Sequence, residues 1–136
     1  MLQEMVAGGI KYAFSDYVKI GERISSNPIK NSWTTMETDC VIRGWARLSN
    51  TAAGSGQISI RIREPEQKSG YTEFCKSDSD SVPANEYLYL YLMGGSGTRW
   101  GCFIPAGWKV LVYYSSGGSG TTTFESSIYC YEVGEE

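Results

Sequence analysis

Histidine does not occur anywhere in the 136-residue sequence. A single chain therefore holds no Ser-His-Asp triad, no Cys-His pair and no histidine-ligated metal. Proline is scarce, at 4 residues. No apolar run approaches the ~18 residues of a spanning helix, and the start lacks the basic and apolar regions of a secretory signal; membrane insertion is not expected. Positive charge is short too: 12 Lys and Arg stand against 15 Asp and Glu, a formal net charge of −3. That balance speaks against general electrostatic binding of nucleic acid. Cys40, Cys75, Cys102 and Cys130 contain no C-x-x-C pair, so no thiolate zinc centre or thioredoxin-like motif is expected. They read as small, buried, reduced core residues, with one or two disulfides left open and the three pairings of all four not separable from sequence. The sequence calls for no metal and no cofactor.

What the chain has in plenty is 16 Gly and 10 Tyr, the mark of many turns between aromatic-rich strands. The stretch Cys102–Tyr114, C-F-I-P-A-G-W-K-V-L-V-Y-Y, reads as strand, tight turn, strand, because Pro cannot donate to a ladder and Gly permits positive φ. The β-branched and aromatic run after the turn suits a central strand. Cys40–Leu48 and Gln57–Arg63 both alternate with period two. Ile42 and Ile60 are expected inside, Arg43 and Arg61 outside, and the two segments are expected to pair as a hairpin across Ser49–Gly56. Tyr71–Cys75 reads as a short strand and Lys76–Ser81 as solvated loop. Glu86–Met93 places Tyr87, Tyr89 and Tyr91 on one face and Leu88, Leu90 and Leu92 on the other, so both faces require cover. Thr121–Val133 makes a long last strand. Gly94–Gly97 and Gly117–Gly120 join strands and enter no helix, so they are hairpin loops and not phosphate cradles.

The prediction is one all-β domain, an antiparallel β-sandwich of jelly-roll type with about eight strands. It spans residues 16–136, with Asp16–Ile24 as an edge strand. Residues 1–15 precede it as a leader or docking segment; Met1–Ala13 could open as a short helix, but Gly8-Gly9 interrupts it.

Three blocks carry a family resemblance: the segment from Asp16 to Ser26, the W-T-x-x-x-D-C-x-I-x-G block at Trp33–Gly44, and the P-x-G-x-x-V block at Pro105–Val110. Together they resemble small bacteriophage virion proteins, the β-sandwich tips of tail or head fibres and related accessory proteins. Thr35-Met36-Glu37 stands where that family's Ala-Pro pair falls, Cys40 where its Gly falls, and Trp108 where its Asp falls. The resemblance implies a non-enzymatic homotrimer on the virion, made in the bacterial cytoplasm. Its implied partners are other virion proteins and a host cell-surface glycan.

Two sets of residues are candidates for contact with partners. Arg43, Trp45 and Arg47 on one outer row face Arg61 and Arg63 on the expected hairpin partner; such a set suits a carboxylated sugar, indole on the pyranose and guanidinium on the acid. Tyr87, Tyr89 and Tyr91, with Tyr129 and Tyr131 of the last strand, suit a subunit interface. No catalytic residue is assigned. Asp78 and Asp80, or Glu64 and Glu66, lack the setting of a glycosidase pair or a calcium loop and read as solubilising charge. Two functions follow: a non-enzymatic virion host-recognition protein that self-assembles, or a carbohydrate-binding module. A small glycosidase or esterase is disfavoured.

Overall fold

A computed structural model describes residues 4–7, 10–13, 20–92 and 102–133. The loop Gly94–Gly97 and the acidic tail Gly134–Glu136 lie outside these, as do parts of the leader and of the expected strands at Asp16–Ile24 and Thr98–Ile104. Among the described residues every regular element is a strand: β1 Glu4–Ala7, β2 Ile10–Ala13, β3 Ile20–Arg23, β4 Thr34–Thr35, β5 Cys40–Asn50, β6 Gly54–Arg63, β7 Thr72–Val82, β8 Leu88–Leu92, β9 Cys102–Ile104, β10 Lys109–Ser116 and β11 Thr122–Val133. β1 and β2 pair with each other in place of the short helix considered above.

The remaining strands form two antiparallel sheets packed face to face, a β-sandwich. One sheet has the order β4-β10-β6-β7; the other has β3-β11-β5-β8, with β9 beside β8 on the same edge of β5. Period-two alternation explains the core. Ile42, Ala46 and Leu48 of β5 are buried, and Ile58, Ile60 and Ile62 of β6 are buried completely; Leu90 and Leu92 of β8 and Val110 and Val112 of β10 complete the interior. As expected, β10 lies centrally between β4 and β6. The Pro105-Ala106-Gly107 turn carries the chain across the sandwich, from β9 in one sheet to β10 in the other. It is held by Gly107 N–H to Met36 O at 2.8 Å and by Ala106 N–H to Asp39 Oδ1 at 2.8 Å. Gly107 has a φ of 88°, which only glycine adopts at little cost.

Two expectations are corrected. β5 and β6 are not hairpin partners. β5 pairs with β11, β8 and β9, whereas β6 pairs with β10 and β7. Ile42 and Ile60 are both inside, but they reach the core from opposite sheets. Alternation tells which side chains face inward; it does not tell whether the next strand lies beside or across, since both sheets present apolar residues to one core. Asn50 holds the corner where the chain changes sheet: its Nδ2 donates to Ser116 Oγ, Gly118 O and Thr122 Oγ1, and its Oδ1 accepts from Ala52 and Gly120 N–H.

The second correction concerns Lys76–Ser81, which lies inside β7 rather than in a loop, and Cys75 just before it, which is exposed rather than in the core. Here the charges are those of an edge strand. Lys76, Asp78 and Asp80 are exposed, and the register with β6 shifts twice. Both features discourage edge-to-edge association.

Candidate functional site

The five residues proposed as a sugar-binding group are divided by the sandwich. Arg43, Trp45 and Arg47 belong to β5 and the outer face of one sheet, Arg61 and Arg63 to β6 and the outer face of the other. No single ligand spans them. Each set instead packs against its own aromatic residues.

On the β6 side, the Arg61 guanidinium sits 3.4 Å from the Tyr113 ring centroid and 4.0 Å from that of Tyr71. Its Nε donates to Glu73 Oε2 at 3.1 Å. The same carboxylate accepts from Ser59 Oγ at 2.7 Å, so the fully buried Ser59 is satisfied on the outer side of its strand. Arg63 lies over Trp33 at 4.3 Å and donates from Nε to Gly70 O at 2.6 Å. These arginines tie β6 to its neighbours.

The β5 side is the more open. β8 pairs with β5 so that Tyr91 lies opposite Trp45 and Tyr89 opposite Arg47. Tyr87, Tyr89 and Tyr91 are exposed by 41%, 39% and 61%, while Leu90 and Leu92 between them are in the core. The Tyr89 and Tyr91 rings are parallel, 5.5 Å apart, and Tyr87 is tilted by 47° against Tyr89 at 5.9 Å. Arg47 anchors the row. Its guanidinium lies 4.4 Å from the Tyr87 centroid and 5.7 Å from the Trp45 ring, and its Nη2 donates to both Glu125 oxygens, at 2.9 and 3.0 Å. The hydrogen bond to Glu125 is the largest of the effects that raise the Arg47 pKa.

The second group of tyrosines extends this face. Register places Tyr129 opposite Arg43 on β11 and β5. Tyr129 is covered by Arg23 at 4.5 Å and Tyr131 by Arg43 at 5.6 Å, and both are only half-buried. The face therefore unites most of the candidate residues: Tyr87 just before β8 with Tyr89 and Tyr91 on it, Trp45 and the arginines of β5, and Tyr129 and Tyr131 of β11.

A separate feature escaped the sequence reading. Residues 24–38, the connection from β3 through β4 toward β5, line a cavity of about 400 Å³, with Cys40 and Cys130 in its wall. Met36 is buried there, and Cys130 Sγ lies 3.5 Å from Met36 Sδ. The neighbouring Cys130 thiol, followed by burial, drives the Cys40 thiol far above its ordinary range. Met36 and Cys40 are four residues apart, but Cys130 lies ninety further on, so spacing alone gave no sign of the cluster.

No protein family, curated protein or solved structure matches this chain.

Proposed function

We propose that the protein is a non-enzymatic virion component, a structural and host-recognition domain that assembles as a homotrimer through the outer face of the β5-bearing sheet. The observation that carries this reading is the row Tyr87, Tyr89 and Tyr91, exposed on the outside of a strand whose other side is core. Such an aromatic surface suits burial against another protein, the rings excluding water while the hydroxyls find partners at the seam. The strand pairing supports a jelly roll, an architecture common in capsid domains. β3, β4, β5 and β6 pair in turn with β11, β10, β8 and β7, as in one long hairpin, and the folded hairpin gains the further pairs β11 with β5 and β10 with β6.

Light scattering on the eluting full chain and on a Tyr89→Ser, Tyr91→Ser double variant tests the proposal. The variant should fold normally and run as a smaller species. Identical masses for the two proteins would contradict it.

One observation favours the carbohydrate-binding module as a second reading. Trp45 and Arg47 lie in register with Tyr91 and Tyr89 on that face, which sets rings for stacking beside a cation for an acidic sugar. Calorimetry with uronic-acid oligosaccharides distinguishes it: heat that vanishes in Trp45→Ala, on a monomeric chain, would favour the module.

A further inference from the structure

The cavity beneath residues 24–38 brings three sulfur atoms together. Register places Cys40 opposite Glu132, and Cys130 opposite Ile42. The two cysteines are therefore diagonal neighbours, and both are buried. Diagonal pairs in an antiparallel ladder stand about 7–8 Å apart, beyond the ~4.4–6.8 Å between Cα atoms that a disulfide bridges. Both side chains nevertheless line the wall of the same cavity, together with Met36. Met36, reaching in from the connection before β5, brings its Sδ to 3.5 Å from Cys130 Sγ. Such a pair is poorly placed for a covalent bridge and well placed to share a third atom.

We infer that Cys40, Cys130 and Met36 form a binding site for a soft monovalent cation, with Cu(I) as its biological occupant. Thiolate and thioether ligands select Cu(I) over harder ions. A structural zinc needs four ligands, and among the described residues no three His, Cys, Asp or Glu side chains gather in one place. On binding, the two thiols release their protons to solvent and the sulfur lone pairs bond the ion, with no change of oxidation state. The occupied site then carries one net negative charge. Lys30 in the cavity wall offsets it; Glu37 in the same wall and Asp39, whose charge reaches Cys40, oppose it. Entry is from the exposed side of the cavity, past Ile24, Asn27 and Lys30.

The test is anaerobic competition for Cu(I) between the reduced full chain and the chromophoric chelator bicinchoninate. The expected result is withdrawal of one ion per chain. Cys40→Ser and Cys130→Ser should each abolish it, while Cys75→Ser and Cys102→Ser should leave it intact. Met36→Leu, a volume-conserving change that the fold should tolerate, should keep the stoichiometry and weaken binding at least tenfold. It should also shrink the rise in melting temperature that Cu(I) gives the unmodified chain. Failure to compete with the chelator, binding that survives Cys130→Ser, binding lost in Cys75→Ser, or wild-type affinity in Met36→Leu would each overturn the site.

Discussion

Replacing Gly44 with alanine should be among the most damaging single changes in the protein. Gly44 lies in the middle of β5, paired with Ile128 of β11 on one side and Leu92 of β8 on the other. Its φ is 142°, a value that residues with a Cβ rarely adopt. A Cβ there would overlap the Ser127 carbonyl oxygen and sit 2.8 Å from Ile128 Cα. Both obstacles are backbone of the neighbouring strand, so neither can rotate away. Relief requires the β5–β11 ladder to open locally. Backbone strain at such a φ is worth about 1–3 kcal/mol, and two ladder hydrogen bonds add about 0.5–1.5 kcal/mol each, for a total of about 2–6 kcal/mol. Urea denaturation followed by tryptophan fluorescence would read this as a lowered midpoint with an unchanged slope. Gly56→Ala is the control, because the three atoms nearest the Cβ there belong to the side chains of Leu88, Leu48 and Val82, at 3.3–3.4 Å, and not to backbone; it should stay within about 1 kcal/mol of the unmodified protein. Equal midpoints for the two variants would refute the reasoning about β5 and β11.

Ile60→Ala removes a fully buried side chain and should cost about 2–5 kcal/mol by chemical denaturation; a loss below 1 kcal/mol would place Ile60 outside the core. Arg61→Ala, silent if the arginine merely faced solvent, should cost about 1–3 kcal/mol, because the side chain is 16% exposed, stacked by two tyrosines and bonded to Glu73; an unchanged midpoint would show those contacts to be idle. Asn50→Ala should cost about 2–4 kcal/mol, since removing the side chain of a residue only 7% exposed leaves its partners at the sheet corner unmet. Proteolysis should then cut first near residues 51–53 or 117–120, and an unaltered digestion pattern would count against that role. Thiol titration of the unfolded chain without reductant should find all 4 cysteines reactive; two or fewer would mean that a bridge forms.

Fold class and facing were legible because they depend on local alternation. Ile58, Ile60 and Ile62 against Gln57, Ser59, Arg61 and Arg63 need only period two, and so does the division of β8 into tyrosine and leucine faces. Partner choice was not legible. The inward pattern of β5 fits a neighbour in the same sheet as well as one across the core, and the corner that decides between them is fixed by Asn50 binding loop residues far along the chain. The error carried into the candidate site, where two arginine rows drawn together as one group belong to opposite faces. The charged half of β7 was misread for a related reason: alternating Lys76, Asp78 and Asp80 suits an edge strand as well as a loop. The sulfur cluster had no local signal, because it exists only once β5 and β11 are side by side and Met36 has folded over them.

The proposal that the tyrosine face joins copies of this chain is tested most directly by sedimentation equilibrium of the unmodified protein at tens of micromolar. The account predicts a single species of about three times the 15.0 kDa chain mass. A clean 15.0 kDa monomer would contradict it.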